Sequence, residues 1–179
     1  RFESYEELAN GKTKTQLKDE KKKKREAEKE AKAIQLKIKN LEKILKILEN
    51  RNIKPTSNRM LVLKAMLNLD WAFTLADLEN ELISVDKSTI SRTIHLFRHQ
   101  QLIHSFDDGS GSVKYAVCNT ECNCSLEELH AHFYCNYCKK AFCLNNIHIP
   151  QFDLPTDVEI EGVNLVIKGF CGKCSKIAT

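Results

Sequence analysis

No stretch of this chain reaches the roughly 18 consecutive apolar residues that a membrane-crossing helix needs, and its first residues carry no apolar secretion segment. The expectation is a soluble, cytoplasmic chain in a reducing compartment, with no membrane partner. Basic charge is scarce where a DNA-binding body would show it. Residues 1–50 hold 15 Lys+Arg against 10 Asp+Glu, whereas residues 51–179 hold 13 against 14, so the formal net charge of +4 comes entirely from the first segment. Bulk charge therefore gives no argument for nucleic acid at the folded body. Also missing is a nucleophile set apart from a metal pair, with a separate His and an orienting Asn or Asp, which weighs against covalent catalysis.

Cysteine is plentiful, with eight residues, and its spacing carries the strongest signal. The run His130-Ala-His132-Phe-Tyr-Cys135-Asn-Tyr-Cys138 is answered by Cys171-Gly-Lys-Cys174. Each Cys-x2-Cys turn brings two sulfurs to one point, and four thiolates about 2.3 Å from a common centre satisfy tetrahedral Zn2+. One such turn alone could be a redox pair, but that chemistry wants a βαβ context, which is absent after Cys138. A secreted disulfide scaffold would be shorter and denser in cysteine. The 32 residues between the pairs require another element inserted between the knuckles. A site of four thiolates is closed, so it predicts a structural ion and no open catalytic position.

In chain order, residues 1–12 show no period, and a helical pattern begins near Gln16. Ala27, Ala31, Ile34, Ile38, Leu41, Leu45 and Leu48 form a heptad stripe, while Lys18 to Lys32 are almost wholly charged. The segment reads as a solvated extension, with a nucleic-acid-contacting arm as the alternative. Asn52 and Lys54-Pro55 stop the helix near Asn50. Three short helices follow: one capped by Thr56 or Ser57 with Met60, Leu61, Leu63, Lys64, Met66 and Leu67 on its face; one capped by Thr74 with Leu75, Leu78, Leu82 and Ile83 inward; and one from Asp86 to about Gln101. Leu102–Phe106 and Val113–Val117 alternate as strands around a glycine-rich tip. Three helices and a hairpin make a winged helix, whose third helix enters the major groove. The competing reading is a small helical domain that only packs.

Taken together, Lys54-Pro-Thr-Ser-Asn-Arg59, Thr74-Leu-Ala-Asp-Leu, Ser88-Thr-Ile-Ser-Arg92-Thr, His130-x-His132-x2-Cys135-x2-Cys138 and Cys171-x2-Cys174 resemble the ferric uptake regulator (Fur) family of bacterial metal-sensing repressors, over about Ile38 to Cys174. The resemblance implies an α+β chain: a charged N-terminal extension (residues 1–33), a winged helix-turn-helix DNA-binding domain (34–117), a hinge (118–129) and a small C-terminal α/β zinc-binding dimerisation domain (130–179). It implies a transcriptional repressor that binds a double-stranded DNA operator as a homodimer, and no enzyme. Cys135, Cys138, Cys171 and Cys174 match the family's structural zinc tetrad, and Val158 to Ile167 around Glu161-Gly162 look like its dimer hairpin.

The departures mark where function diverges. Ser91 stands where the family usually has a Tyr before the Arg, so that Tyr's thymine contact has no counterpart, while Arg92 can still meet guanine or phosphate. By resemblance, Thr56, Arg59, Thr89, Ser91 and Arg92 face DNA, with Lys87 and Lys114 as phosphate partners. The second, exchangeable metal of the family would find His130 and His132 here. The family's acidic position is Cys143, its hinge carboxylate position falls near Ala116, and Trp71-Ala72-Phe73 replaces a histidine before the second helix. The hinge instead carries Cys118, Cys122 and Cys124, followed by Glu127 and Glu128. The candidate regulatory set is thus His130, His132, Cys143, Cys118, Cys122, Cys124 and Glu128, for a second divalent ion, Zn2+ or Fe2+, with the thiolates favouring zinc. Thiol-redox sensing, a degenerate site, and a zinc-stabilised interaction module that has lost metal sensing are the alternatives. His95, His99, His104 and His148 read as surface or packing residues, with His148, close in sequence to the tetrad, as a minor metal candidate.

Overall fold

The structure is a computed structural model that describes residues 14–118, 130–148, 155, 157–158 and 163–177. Among them, four helices precede and two short sheets follow: α1 Lys14–Asn50, α2 Ser57–Leu67, α3 Leu75–Glu81, α4 Lys87–His99, β1 Ile103–Asp107, β2 Val113–Val117, β3 His130–Cys135, β4 Ala141–His148 and β5 Val166–Gly169. The chain divides into two compact units, residues 1–43 and 44–179.

The first unit contains most of α1, and there Ala27, Ala31, Ile34, Ile38 and Leu41 of the heptad stripe are all exposed. The boundary expected at residues 33/34 falls inside this unbroken helix; the second unit begins at Ile44, a residue beside the stripe and the first of the helix to be buried, and Leu48 is the first stripe residue to be buried. The physical reason is simple: Ile44 and Leu48 have a core to enter, and the stripe residues before them have none among the described residues. Past Asn50 the helix ends on Asn52 at φ 54°, a left-handed conformation that asparagine tolerates.

The second unit is built on a core of Leu48, Leu63, Met66, Phe73, Leu78, Ile90, Phe97, Leu102 and Ile103. Thr56 caps α2 by accepting from the Arg59 N–H at 3.4 Å. In α2 the buried residues are Val62, Leu63, Ala65 and Met66, while Leu61 and Lys64, expected inside, face outward. A reciprocal capping box fixes α3: Asp77 N–H donates to Thr74 Oγ1 at 3.1 Å and Thr74 N–H to the Asp77 carboxylate at 2.7 Å. That helix stops at Glu81, and Ile83, expected inside, is 90% exposed. Asp86 caps α4, which buries Ile90, Thr93, Ile94 and Phe97.

β1 and β2 form an antiparallel hairpin that pairs Ile103 with Val117 and His104 with Ala116. A one-residue bridge joins Phe73 to Tyr115, giving the wing a third rung. The C-terminal sheet has the order β4-β3-β5, with β3 antiparallel to β4 and parallel to β5. Ala72 N–H donates to the Ala141 carbonyl at 2.8 Å, so the residue before Phe73 ties the winged helix to β4. A second, smaller core of Ala72, Phe106, Ala116, Tyr134 and Ala141 fills the joint between wing and sheet. The expected dimer hairpin is not what the described residues form: Val166–Gly169 run parallel to β3, Val158 lies exposed in an irregular segment, and residues 159–162 lie outside the described part.

Candidate functional site

Strand pairing assembles the first cluster. Cys135 ends β3 opposite Gly169 of β5, which brings the second knuckle within reach of the first. Lys139, at φ 60°, turns the chain sharply after Cys138, and its N–H donates to the Cys135 carbonyl at 2.9 Å. In the other knuckle, the N–H groups of Cys174 and Ser175 both donate to the Cys171 carbonyl. The four ligand sulfurs of Cys135, Cys138, Cys171 and Cys174 all lie within 4.8 Å of one another. Two sulfurs each about 2.3 Å from a tetrahedral centre stand about 3.8 Å apart, and Cys138 Sγ to Cys171 Sγ is 4.0 Å. Burial works against a thiolate at Cys135, but the N–H groups of Cys171, Cys138 and Tyr137 aimed at its sulfur outweigh it and bring its pKa down to about 6. Cys171 is lowered by the Cys174 N–H and thiol. Cys174 is pushed up to about 12 by burial and by the thiols of Cys171, Cys138 and Cys135 around it. Some sulfurs are thus stabilised as anions by backbone donors while a neighbour is denied its charge, the electrostatics of a site that a divalent cation completes.

The second cluster sits at the joint. Alternation along β3 puts His130 and His132 on one face, and Cys143 of β4 is the cross-strand partner of His132. The fourth member is His104 of β1, which in the sequence reads as a packing histidine. Ligand atoms of His104, His130, His132 and Cys143 all lie within 4.8 Å of one another. His104 Nε2 is 3.0 Å from His132 Nε2 and 3.7 Å from Cys143 Sγ. For a tetrahedral ion with Zn–N of about 2.0–2.1 Å and Zn–S of about 2.3 Å, the corresponding separations are about 3.4 and 3.6 Å. His132 is 6% exposed, and its Nδ1 is buried without a hydrogen-bond partner among the described residues. Its pKa falls to about 3, from burial first and then from the neighbouring His104 and His130, so the imidazole is neutral with a lone pair to give. The Phe106 ring stacks on it at 3.6 Å between centroids.

Cys118 is not in this set. Its sulfur stands 3.3 Å from His104 Nδ1, behind the ring. Cys122, Cys124 and Glu128 lie outside the described residues. The signal that points to His104 is present in the alternation of β1: it shares a strand with Phe106, two residues on, and stands opposite Ala116, where the resemblance places a carboxylate.

Elsewhere on the winged helix, Thr56, Asn58, Arg59, Thr89, Arg92, Thr93 and Leu96 line a groove of about 340 Å³. Arg59 donates to the Lys54 carbonyl at 2.7 Å, and Arg92 Nη2 donates to Ser88 Oγ at 3.0 Å. Lys87 pairs with Glu79 at 2.8 Å on the surface. Lys114 departs from the expectation of a phosphate contact: its side chain is 13% exposed and lies 3.9 Å from the buried Asp108 carboxylate. Burying Asp108 without a cation would be costly, and that keeps Lys114 inside the wing.

A winged helix joined to a sheet that gathers cysteine and histidine clusters defines a class, the metal-site winged-helix regulators. The sequence profile described as the Ferric uptake regulator family matches residues 50–165, and the chain belongs to that family. The ferric uptake regulation protein of Campylobacter jejuni subsp. jejuni serotype O:2 is 26% identical over 145 residues, spanning 75% of this chain and 88% of that one. A zinc uptake regulator solved in complex with zinc and DNA superposes with a TM-score of 0.53 at 19% identity, over 77% of this chain and 94% of that one. Holo XcZur gives a TM-score of 0.51 at 16% identity, over 76% and 96%. At these identities the two structures establish the fold alone.

Proposed function

We propose that this Fur-family regulator represses transcription from the cytoplasm as a homodimer on operator DNA, with Zn2+ in the four-cysteine site and a second divalent ion as its signal. The observation that carries the reading is the convergence of His104, His130, His132 and Cys143 at the joint between wing and C-terminal sheet. Cys135, Cys138, Cys171 and Cys174 would hold the structural ion, which cross-links the β3–β4 turn to the segment after β5. The second ion would fix ligands from both sides of the joint together, and the angle between the recognition helix and the C-terminal sheet with them. That angle decides whether two recognition helices can occupy successive major grooves, about 34–36 Å apart. A ligand shifts such an equilibrium only through its different affinity for the two geometries, and a site spanning the joint has that difference built in.

On α4, Thr89, Ser91 and Arg92 would read the groove, and Arg59 and Thr56 would anchor the phosphates, joined by Lys87 once it leaves Glu79. Arg92 is exposed, and its guanidinium donates to the Ser88 and Thr89 hydroxyls near the Asp86 carboxylate, contacts that a base edge or phosphate can replace. For the dimer, β5 is an edge strand among the described residues, with Leu165, Ile167 and Phe170 exposed beside it, and pairing with a second copy would cover them. The four-thiolate cluster has no open coordination position, which supports a regulator over an enzyme.

The test is fluorescence anisotropy on a duplex selected from a random pool by the zinc-loaded protein. Binding should weaken on mild chelation and return with added Zn2+. Equal affinity in both conditions would refute metal-responsive repression.

A further inference from the structure

We propose that His104 of the wing is a metal ligand, completing with His130, His132 and Cys143 a closed site of three nitrogens and one sulfur that selects zinc and bolts the wing to the C-terminal sheet. The inference deepens the proposed function: it rests on the second-site reading and names its ligands, its metal and the element it controls.

The donor set decides the metal. Three imidazoles and one thiolate, with no carboxylate among the described residues of the cluster, suit a tetrahedral borderline-soft ion; Fe2+ and Mn2+ prefer more oxygen ligands and higher coordination. Enclosure points the same way. His132 is 6% exposed and Phe106 stacks on its ring at 3.6 Å, so this side of the site is shielded from water. On binding, Cys143 gives up its thiol proton to solvent and the three imidazoles each offer a lone pair.

Placement decides the consequence. His130, His132 and Cys143 belong to the β3–β4 pair, so those three alone would report nothing to the DNA-binding half. His104 is the member contributed by the winged helix, from the strand that directly follows α4. Cys118 then acquires a positioning role: with its sulfur 3.3 Å from His104 Nδ1, it accepts that N–H and leaves Nε2, which faces His132, free to ligate.

The experiment uses the full chain with zinc in the cysteine tetrad, titrated with Co2+. One further Co2+ should bind, with the intense visible bands of tetrahedral coordination and a thiolate charge-transfer band. His104→Gln and Cys143→Ser should each weaken it by roughly tenfold or more, Cys143→Ser also removing the charge-transfer band; Cys118→Ala should keep the band and weaken binding by about tenfold. Zn2+ should displace the Co2+, and equal Fe2+ or Mn2+ should not. In hydrogen exchange, Zn2+ should protect the β1 amides of the wild type and not of His104→Gln. A weak octahedral spectrum, or wild-type Co2+ affinity in His104→Gln, would overturn the proposal. Tetrahedral binding on a chain whose DNA affinity ignores Zn2+ would uphold the ligands and overturn the repressor reading. Zinc-dependent DNA binding that His104→Gln leaves intact would do the reverse.

Discussion

Among single residues, the cysteines divide by the donors that surround them. Cys135 receives the Cys171 N–H at 3.4 Å, and Cys174 sits buried at the closing end of the tetrad. Replacing either sulfur leaves three ligands and a buried hydroxyl, so Cys135→Ser and Cys174→Ser should lose the tightly held zinc and lower the melting temperature by roughly 10 °C or more. Elemental analysis with calorimetry checks both; an unchanged melting temperature with full zinc content would show that the cluster is not a metal site. Arg92 supplies the matching test on the DNA side. If it reads a base bidentately, Arg92→Ala should cost about 1–3 kcal/mol on the selected duplex and much less on random duplexes. The tetrad is legible in the sequence because each half is a local turn of fixed spacing. His104 has only the alternation of β1 to mark it, because 25 residues and a chain reversal separate it from His130, and the packing of the wing hairpin on the C-terminal sheet, two sheets that share no strand pairing, brings them together. For Lys114, expected at a phosphate, the sequence hides a second neighbour for a related reason: Asp108 is buried by the tertiary fold, which no local pattern displays.

Elements show where local signals suffice and where they fail. Caps are readable: Thr56, Thr74 and Asp86 each accept from the N–H three residues on. Thr74→Ala removes half of a capping box and should cost about 1 kcal/mol in denaturant unfolding, with little change in metal content. Inward faces of short helices are less readable, because three or four apolar residues in seven fit more than one face; Leu82 and Ile83 lie beyond the last turn of α3, and only Leu82 stays half-buried. Helix α1 shows the limit of periodicity most clearly. Its stripe continues through Leu41 and Leu48 alike, yet Leu41 is 51% exposed and Leu48 fully buried. Leu48→Ala should therefore cost about 2–5 kcal/mol, and Leu41→Ala less than about 0.5 kcal/mol in dilute chain. A destabilisation at Leu41 that grows with protein concentration would instead mean that the stripe pairs with a second copy.

For the whole molecule, charge and function have to be reconciled. Residues 51–179 sum to −1, with 13 basic against 14 acidic side chains, while residues 1–50 sum to +5. A body with that balance can read bases through Arg92, while Lys114 is engaged by Asp108 and Lys87 by Glu79, which leaves Arg59 with the exposed Lys54, Lys64 and Arg98 as the winged helix's cations for the backbone. If the N-terminal segment acts as a nucleic-acid-contacting arm, further phosphate neutralisation would draw on α1, whose Lys21, Lys22, Lys23, Lys24 and Arg25 are all exposed. Two separable contributions follow, because phosphate contacts set affinity on every duplex and base contacts set the preference for one. Replacing Lys21 to Lys24 with Gln in the full chain should weaken binding to selected and random duplexes alike, and should reduce the slope of log affinity against log salt by about 1 for each phosphate no longer neutralised. The ratio between the two duplexes should hold, since the groove beside α4 is untouched. An unchanged slope would make α1 a solvated extension and return the whole electrostatic burden to the winged helix, where Lys87 would have to leave Glu79 to carry part of it.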